Sequence, residues 1–186
     1  MKRAIDILGA LAGLVLLSPL FVGAALAAVL QSPGPALHWS RRVGRDERIF
    51  RMPKFRTMRM GTPDVATHLL TDPDQWVTPV GRFLRRTSLD ELPQLWSILT
   101  GDMSLVGPRP ALFNQDDLVA LRRAAGVAGL RPGLTGWAQI NGRDELPIAE
   151  KARLDAEYLQ RMSLAFDLQI IVATALAAVS GRGVTH

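Results

Sequence analysis

The hydrophobic pattern of this 186-residue chain begins with one long apolar run, residues 7–30, interrupted only by Ser18 and Pro19. A helix over this run would extend about 36 Å, enough to span a hydrocarbon core of about 30 Å. Proline breaks or sharply kinks a helix, and each half alone, about 18–22 Å long, is too short to cross. The pattern therefore predicts either a kinked spanning helix or a hairpin of two short helices that enters and leaves on one face.

The charges on both sides of the run favour the hairpin. Lys2 and Arg3 precede the run, and five arginines follow it: Arg41, Arg42, Arg45, Arg48 and Arg51. Because basic flanks mark the cytoplasmic side, one straight crossing cannot satisfy both flanks. The second basic flank also argues against a secretory signal cleaved near residues 25–27. We expect the Ser18 hydroxyl to bond a backbone group near the break, and Asp6 to pair with Arg3 or another arginine.

Beyond the apolar run, the alternation of polar and apolar positions predicts a small α+β region that is mainly helical. A link rich in proline and glycine covers residues 31–35. Short strands are predicted at 36–40, where an interfacial segment is the alternative, and at 48–58. Helices are predicted at 80–84, 114–125, 147–162 and within 163–179, and a glycine-rich loop or hairpin is predicted at 131–143.

The charged residues on these helices are interpreted as solvated. Arg122 and Arg123 would face solvent or lipid headgroups, and Asp155 would belong to the mostly solvated face of the helix at 147–162. The apolar helix within 163–179 is expected to lie in the membrane interface or to pack on the hairpin.

The stretch around Asp90 combines two adjacent carboxylates with two hydroxyls and two upstream arginines. Apolar spacing predicts a helix that begins next to Asp90, has Pro93 in its first turn and ends near Gly101. Ser88 followed by Glu91 forms a capping box, which is a purely structural interpretation. The alternative is an anion site, because free N–H groups point outward at a helix N-terminus. A carboxylate there can attack phosphorus or hold a divalent metal ion.

Four motifs, in order along the chain, carry a resemblance to a known family. They read Lys-Phe-Arg-Thr-Met at 54–58, Ser-Leu-Asp-Glu-Leu-Pro-Gln-Leu at 88–95, Gly-Asp-Met-Ser-Leu-Val-Gly-Pro-Arg-Pro at 101–110, and Arg-Pro-Gly-Leu-Thr-Gly-Trp-Ala-Gln-Ile-Asn-Gly-Arg at 131–143. Together they closely resemble the bacterial sugar transferase family, the small monotopic phosphoglycosyl transferases of surface-glycan and glycoprotein pathways. The resemblance covers almost the whole chain, and four motifs at family-like spacing make it specific.

The resemblance implies an enzyme that moves a sugar 1-phosphate from a nucleotide diphosphate sugar, a UDP-sugar in our interpretation, to polyprenyl (undecaprenyl) phosphate. By matching motifs, Asp90 would attack the β-phosphate and carry the phosphosugar covalently. Glu91, with Asp90 beside it, would hold Mg²⁺, and the alternative role of Glu91 is to accept a proton from the lipid phosphate. The resemblance and the clustering of basic residues imply five phosphate-binding residues: Lys54, Arg56, Arg85, Arg109 and Arg143.

Each of these phosphate-binding assignments has a structural alternative. Arg85, Arg109 and Arg143 could instead pair with carboxylates such as Asp102 or Asp144. The basic row that begins at residue 54 could instead be attracted to anionic lipid. The sequence leaves both interpretations open.

The resemblance also implies the architecture and location. We expect an α+β, mainly helical protein with a re-entrant membrane hairpin at 1–35, broken at Ser18-Pro19, and a catalytic domain at 36–186. The domain would carry amphipathic interfacial helices and a short β element, on the cytoplasmic face of the bacterial inner membrane. Larger relatives have an extra N-terminal transmembrane region that this sequence lacks, so we expect the minimal form.

Composition agrees with anionic partners. The chain has 22 basic and 17 acidic residues and no cysteine, which excludes disulfides and thiolate metal sites. Aromatic residues are sparse and do not alternate with the basic clusters, which argues against a nucleic-acid groove. The competing interpretation is a basic, membrane-anchored protein that binds lipid or a partner without catalysis. The sequence identifies neither the sugar nor the oligomeric state.

Overall fold

The computed structural model describes residues 1–62, 72–142 and 146–180. It begins with two helices, α1 (Lys2–Leu16) and α2 (Ser18–Gln31), which are bent by 64° relative to each other. Ser18 Oγ donates to the carbonyl oxygen of Val15 at 2.8 Å, which confirms the expected bond at the break. Within the described residues no single helix is long and apolar enough to cross a membrane, whereas this bent pair is, judged by length and composition.

Two small sheets follow. Strands β1 (Leu37–Val43) and β2 (Ile49–Phe55) pair antiparallel, with Leu37 opposite Phe55, which confirms the strands predicted here although β1 extends further than expected. Strands β3 (Ser104–Val106) and β4 (Gly133–Thr135) pair in parallel. The backbones approach so closely that a Cβ on Gly133 would lie 2.1 Å from the nitrogen of Gly107, so only glycine fits.

The remaining elements are helices. In chain order they are α3 (Pro73–Trp76), α4 (Pro79–Arg86), α5 (Gln94–Thr100), α6 (Asp116–Ala124), α7 (Trp137–Ile140), α8 (Ile148–Arg161) and α9 (Leu164–Ser180). The helices predicted at 80–84, 114–125, 147–162 and 163–179 are confirmed with small shifts at their ends. Gly101 ends α5 with a φ of 97°, as predicted. The region predicted as a loop or hairpin at 131–143 instead contains β4 and α7.

The core forms where α1 packs against α5 and β3. Ala10 and Ile98 are completely buried there. Small residues on α1 allow this approach, since a Cβ on Gly9 would lie 2.7 Å from Leu105 Cδ1. On the other side, α9 packs with Phe166 and Ile170 against Tyr158 and Val106. Strand β3 therefore lies between α1 and α9.

The outer faces of α1 and α2 remain apolar and exposed. The exposed side chains include Leu8, Val15, Leu16, Val22, Leu26 and Leu30. By contrast, the inner face of α2 packs Ala24 near Phe55 and Leu84. The bent helix pair is thus anchored on one side and presents aliphatic side chains on the other.

Candidate active site

The backbone around Asp90 forms a tight turn. Ser88 adopts a left-handed conformation with φ of 56°, residues 89–91 form one 3₁₀ turn, and Pro93 directly precedes α5. Ser88 makes no side-chain cap hydrogen bond, so the capping-box interpretation is wrong. Asp90 and Glu91 therefore lie before the helix, in a turn of their own, rather than in its first turn.

Glu91 is held by two cations from two different parts of the fold. Its Oε1 accepts Lys54 Nζ from β2 at 2.9 Å and Arg109 Nη2, from the segment after β3, at 3.0 Å. Burial is the largest single effect and would raise the pKa of Glu91, but the charges and hydrogen bonds of Arg109 and Lys54 together outweigh it. The pKa therefore lies well below the ordinary value, and Glu91 is a fixed anion.

Asp90 lies beside Glu91 in a different environment. Its residue is 7% exposed, and its carboxylate accepts no hydrogen bond from any described residue. Burial and the neighbouring Glu91 raise its pKa, while Lys54, Arg85 and Arg109 lower it, leaving the pKa at about 6. A buried carboxylate without donors that is still mostly ionised near neutral pH is suited to act as a nucleophile.

Three cations from three elements surround the carboxylate pair. Arg85, on α4, donates Nε to Thr57 Oγ1 at 2.9 Å. Burial lowers the pKa of its guanidinium and the charge of Asp90 raises it, and an arginine remains charged in such a setting. Lys54 and Arg109 complete the set. The structure thus brings together five of the residues predicted for the site, in an arrangement that can neutralise phosphate groups.

One other predicted phosphate-binding residue, Arg56, is not in this group. Arg56 is 8% exposed, and its guanidinium donates to three carbonyl oxygens at the end of α2, those of Ala28, Ser32 and Pro33. These bonds anchor the hairpin to β2 and leave the predicted phosphate contact of Arg56 without geometric support. Arg143 lies outside the described residues.

The charged residues assigned to solvent include a buried ion pair. Asp155, on α8, is 1% exposed and accepts Arg122 Nε and Nη2 on one oxygen, at 2.9 and 2.7 Å. Arg122 Nη1 also donates to the carbonyl oxygen of Arg109 at 2.9 Å. The solvated interpretation of both side chains is therefore wrong. The sequence does contain a signal that Asp155 is buried. It follows Ile148 by seven residues and Ala152 by three, which places it on the apolar face of α8.

A second buried aspartate ties α1 to β3. Asp6 is 3% exposed and accepts Ser104 Oγ on both oxygens, at 2.9 and 3.0 Å, and the Leu105 N–H at 2.9 Å. The expected pairing with Arg3 is wrong, because Arg3 donates to the carbonyl oxygens of residues 98 and 99 at the end of α5. Lys2 binds Asp167 and the Val106 carbonyl. One side of the start of α1 is therefore bonded to α5, β3 and α9.

The two carboxylates of Asp90 and Glu91 could supply part of a magnesium site, with phosphate oxygens of a substrate as the other ligands. The described residues contain no cluster of three or more metal-ligating side chains. Mg²⁺ is commonly held by one or two carboxylates together with the phosphates of a substrate. Asp90 and Glu91 Oε2, neither of which accepts a hydrogen bond from a described residue, fit that donor set.

Comparison with known sequences agrees with this geometry. A model of the family described as bacterial sugar transferase matches residues 1–181. The chain is 44% identical to the UDP-glucose:undecaprenyl-phosphate glucose-1-phosphate transferase of Caulobacter vibrioides, over 93% of this chain and 67% of that protein. It is 38% identical to the exopolysaccharide production protein ExoY of Rhizobium meliloti, over 98% and 87%.

Other relatives are longer. The chain is 43% identical to the UDP-glucose:undecaprenyl-phosphate glucose-1-phosphate transferase of Escherichia coli, over 94% of this chain but 39% of that protein. It thus spans about two fifths of the length of several curated relatives that it matches. The match to the family model nevertheless covers nearly all of this sequence, including every motif and the carboxylate pair. The chain belongs to the bacterial sugar transferase family.

Proposed function

We propose that this protein transfers a sugar 1-phosphate from a UDP-sugar to undecaprenyl phosphate through a covalent intermediate on Asp90. The names of relatives support the substrate classes, since they include UDP-glucose and UDP-N-acetylgalactosamine transferases that act on undecaprenyl phosphate. The observation that carries the mechanism is the contrast within the carboxylate pair. Glu91 is occupied by two cations, while Asp90 is buried beside the same cations with no hydrogen bond from a described residue.

In the first half-reaction, a carboxylate oxygen of Asp90 attacks the β-phosphorus of the UDP-sugar. A new O–P bond forms, the bond from the β-phosphorus to the bridging oxygen breaks, and UMP leaves with that oxygen. With a pKa of about 6, Asp90 is about nine tenths ionised at pH 7. Lys54, Arg85 and Arg109 offset the repulsion between this anion and the diphosphate.

In the second half-reaction, a phosphate oxygen of the lipid attacks the phosphorus carried by Asp90. The O–P bond to Asp90 breaks, which regenerates the carboxylate and releases a polyprenyl-diphosphate sugar. Glu91 is a weak base because its pKa is lowered, so its proposed role is metal ligand and anchor for Lys54 and Arg109 rather than proton acceptor. Mg²⁺ held by the carboxylate pair and the substrate would neutralise phosphate charge.

The bent helix pair indicates where in the cell this reaction would take place. We propose that α1 and α2 enter and leave the cytoplasmic leaflet of the inner membrane as a re-entrant hairpin, because their outer faces are aliphatic and neither helix alone is long enough to cross. The carboxylate pair would then meet soluble UDP-sugar and the lipid phosphate at the interface. Labels placed before Lys2 and after Arg41 should both be accessible from the cytoplasm, and a periplasmic N-terminus would contradict the hairpin.

The decisive experiment is label transfer in the absence of lipid acceptor. Purified protein is incubated with Mg²⁺ and a panel of UDP-sugars labelled at the β-phosphate, and mass spectrometry locates the label. We expect label on Asp90 and none in Asp90→Asn. Asp102→Asn is the matched control, because Asp102 is an exposed aspartate of a neighbouring motif that bonds only Thr100 among the described residues.

Two outcomes would replace this proposal. If lipid product forms but label never appears on the protein, the lipid phosphate attacks the UDP-sugar directly and Asp90 is a metal ligand. If the protein binds polyprenyl phosphate but releases no UMP from any UDP-sugar, the non-catalytic lipid-binding role is favoured.

A further inference from the structure

The backbone of Arg109 is held from behind by the buried pair of Arg122 and Asp155. Arg122 uses Nε and Nη2 for the carboxylate and Nη1 for the Arg109 carbonyl oxygen. One guanidinium therefore joins α6 and α8 to the residue whose own side chain holds Glu91. Nothing in the proposed chemistry above uses this pair, and neither residue is among the predicted site residues.

Stability alone does not account for the pair. Burial is the largest effect on Asp155 and raises its pKa despite the opposing charges of Arg122 and Lys151. The surroundings are apolar, with Ala111, Leu118 and Ala152 buried nearby. Replacing a buried ion pair of this kind by apolar residues of similar volume is often neutral or stabilising. A role in orienting the backbone of Arg109 explains why arginine occupies position 122, because its planar guanidinium can donate to the carboxylate and to the carbonyl oxygen at once.

Neighbouring backbone groups of the segment that carries Arg109 are also hydrogen-bonded. The Gly107 N–H donates to the Thr135 carbonyl at 2.9 Å, and the Pro108 carbonyl accepts the Gly133 N–H at 2.9 Å. Pro108 and Pro110 flank Arg109 and restrict its backbone further. The carbonyl oxygen of Arg109, between these two prolines, accepts its hydrogen bond from Arg122.

We infer that Arg122, oriented by Asp155, is a positioning residue that fixes the direction in which the Arg109 side chain leaves the backbone. This inference rests on the proposed function, in which Arg109 binds phosphate and holds Glu91. Without Arg122 the Arg109 peptide can rotate, and its guanidinium moves away from the carboxylate pair. Asp90 then keeps only two of its three facing cations, Lys54 and Arg85, together with the repulsion of Glu91.

The test removes both charges of the pair at once, because removing one would leave an unpaired buried charge and unfold the protein. In Arg122→Met/Asp155→Asn we expect UMP release to fall about 10- to 100-fold, since small displacements of a clamp residue have effects of this size. On an Arg109→Ala background, the same two substitutions should change the rate less than about twofold.

The matched control is the neighbouring exposed pair, Arg123 and Glu47, which is bidentate but far less buried. Arg123→Met/Glu47→Gln should retain the wild-type rate. The inference fails if Arg122→Met/Asp155→Asn behaves like this control. It also fails if that variant loses activity equally with and without Arg109, which would indicate a general loss of folded protein.

A readout independent of turnover separates this inference from the proposed function. Hydrogen–deuterium exchange should be faster in residues 104–112 of Arg122→Met/Asp155→Asn, and unchanged in β1 and β2. Unchanged exchange in residues 104–112 would overturn the positioning role, whatever the rate of UMP release in the variant. Absence of label on Asp90 in the wild type, with faster exchange in the variant, would overturn the function and leave the positioning role intact.

Discussion

Two regions of the molecule are each built around a buried aspartate, and they treat it in opposite ways. At the start of α1, Asp6 is 3% exposed and accepts hydrogen bonds from Ser104 and Leu105. In the turn before α5, Asp90 is 7% exposed and accepts none from the described residues. Burial is nearly equal, so the difference lies in the donors. Where donors are supplied the aspartate joins two elements, and where they are withheld it is left able to form a new bond.

The comparison also shows that the turn around Asp90 lowers the stability of the folded state. A buried carboxylate without donors destabilises the folded state, whereas one that accepts several hydrogen bonds stabilises it. The turn that presents Asp90 adds strain, because Ser88 is held at positive φ without being glycine. Such local violations are concentrated at functional sites. The four predictions below separate the two regions, in order of decreasing effect.

The largest expected effect is the loss of chemistry at Asp90. Asp90→Asn should reduce UMP release by about 10⁴-fold or more, because the substitution keeps the shape but removes the nucleophile. Asp6→Asn, at similar burial, should retain most of the specific activity of the folded protein. The measurement is UMP release per folded molecule. Comparable losses in the two variants would remove the distinction between the regions.

The second effect is on stability, and here a substitution at Asp6 should cost more than one at Asp90. Asp6→Ala should lower the free energy of unfolding by about 3 kcal/mol, because the buried Ser104 hydroxyl and Leu105 N–H lose their acceptor. Thermal and urea unfolding in the same detergent would measure it. An unchanged midpoint would mean that water replaces the carboxylate as acceptor for Ser104 and Leu105.

The third effect is a gain of stability at Asp90. Its pKa is about 6 in the folded protein against 3.8 when unperturbed, so between about pH 4 and 6 the folded state holds more protons and stability falls as pH rises. Above that window the penalty is constant. Asp90→Asn should therefore be more stable than wild type by about 1–3 kcal/mol at pH 7.5. The gap should close near pH 4, and a gap that persists there would exclude titration of Asp90 as its source.

The smallest effect is the pH dependence of the reaction. With a pKa of about 6 for Asp90, kcat/KM should fall about tenfold for each pH unit below that value. Wild type and Asp6→Asn should share this limb, since Asp6 does not face the substrate. If kcat/KM instead falls only near pH 4, burial raises the pKa of Asp90 less than its surroundings indicate.

Part of this structure could be predicted from the sequence. The break at Ser18-Pro19 was predictable because proline removes a helix donor wherever it is placed. The motifs named Lys54, Asp90, Glu91 and Arg109, and the structure brings these side chains close together, while their roles stay predictions. The break depends on local backbone chemistry, and the motifs are residue patterns specific enough to identify a family.

The failures have two physical causes, which are local backbone conformation and partners distant in sequence. The capping box at Ser88 failed because the turn adopted a left-handed residue that the local pattern disfavours. The bonds of Arg56 to the end of α2 could not be predicted, because the period of a strand gives a face and not the identity of the partner. Asp155 was read as solvated because its partner, Arg122, lies 33 residues away on another helix.

The contacts of the first turn of α1 have a consequence for the time course of biosynthesis. Asp6 is 98 residues from Ser104, and Lys2 is 165 residues from Asp167. At a synthesis rate of about 5–20 residues per second, these two side chains wait roughly 5–30 s for partners. During that interval both side chains lack the partners they have in the folded protein. Water must solvate both, so in the proposed membrane topology the first turn of α1 would stay at the bilayer surface until the ribosome has made α9.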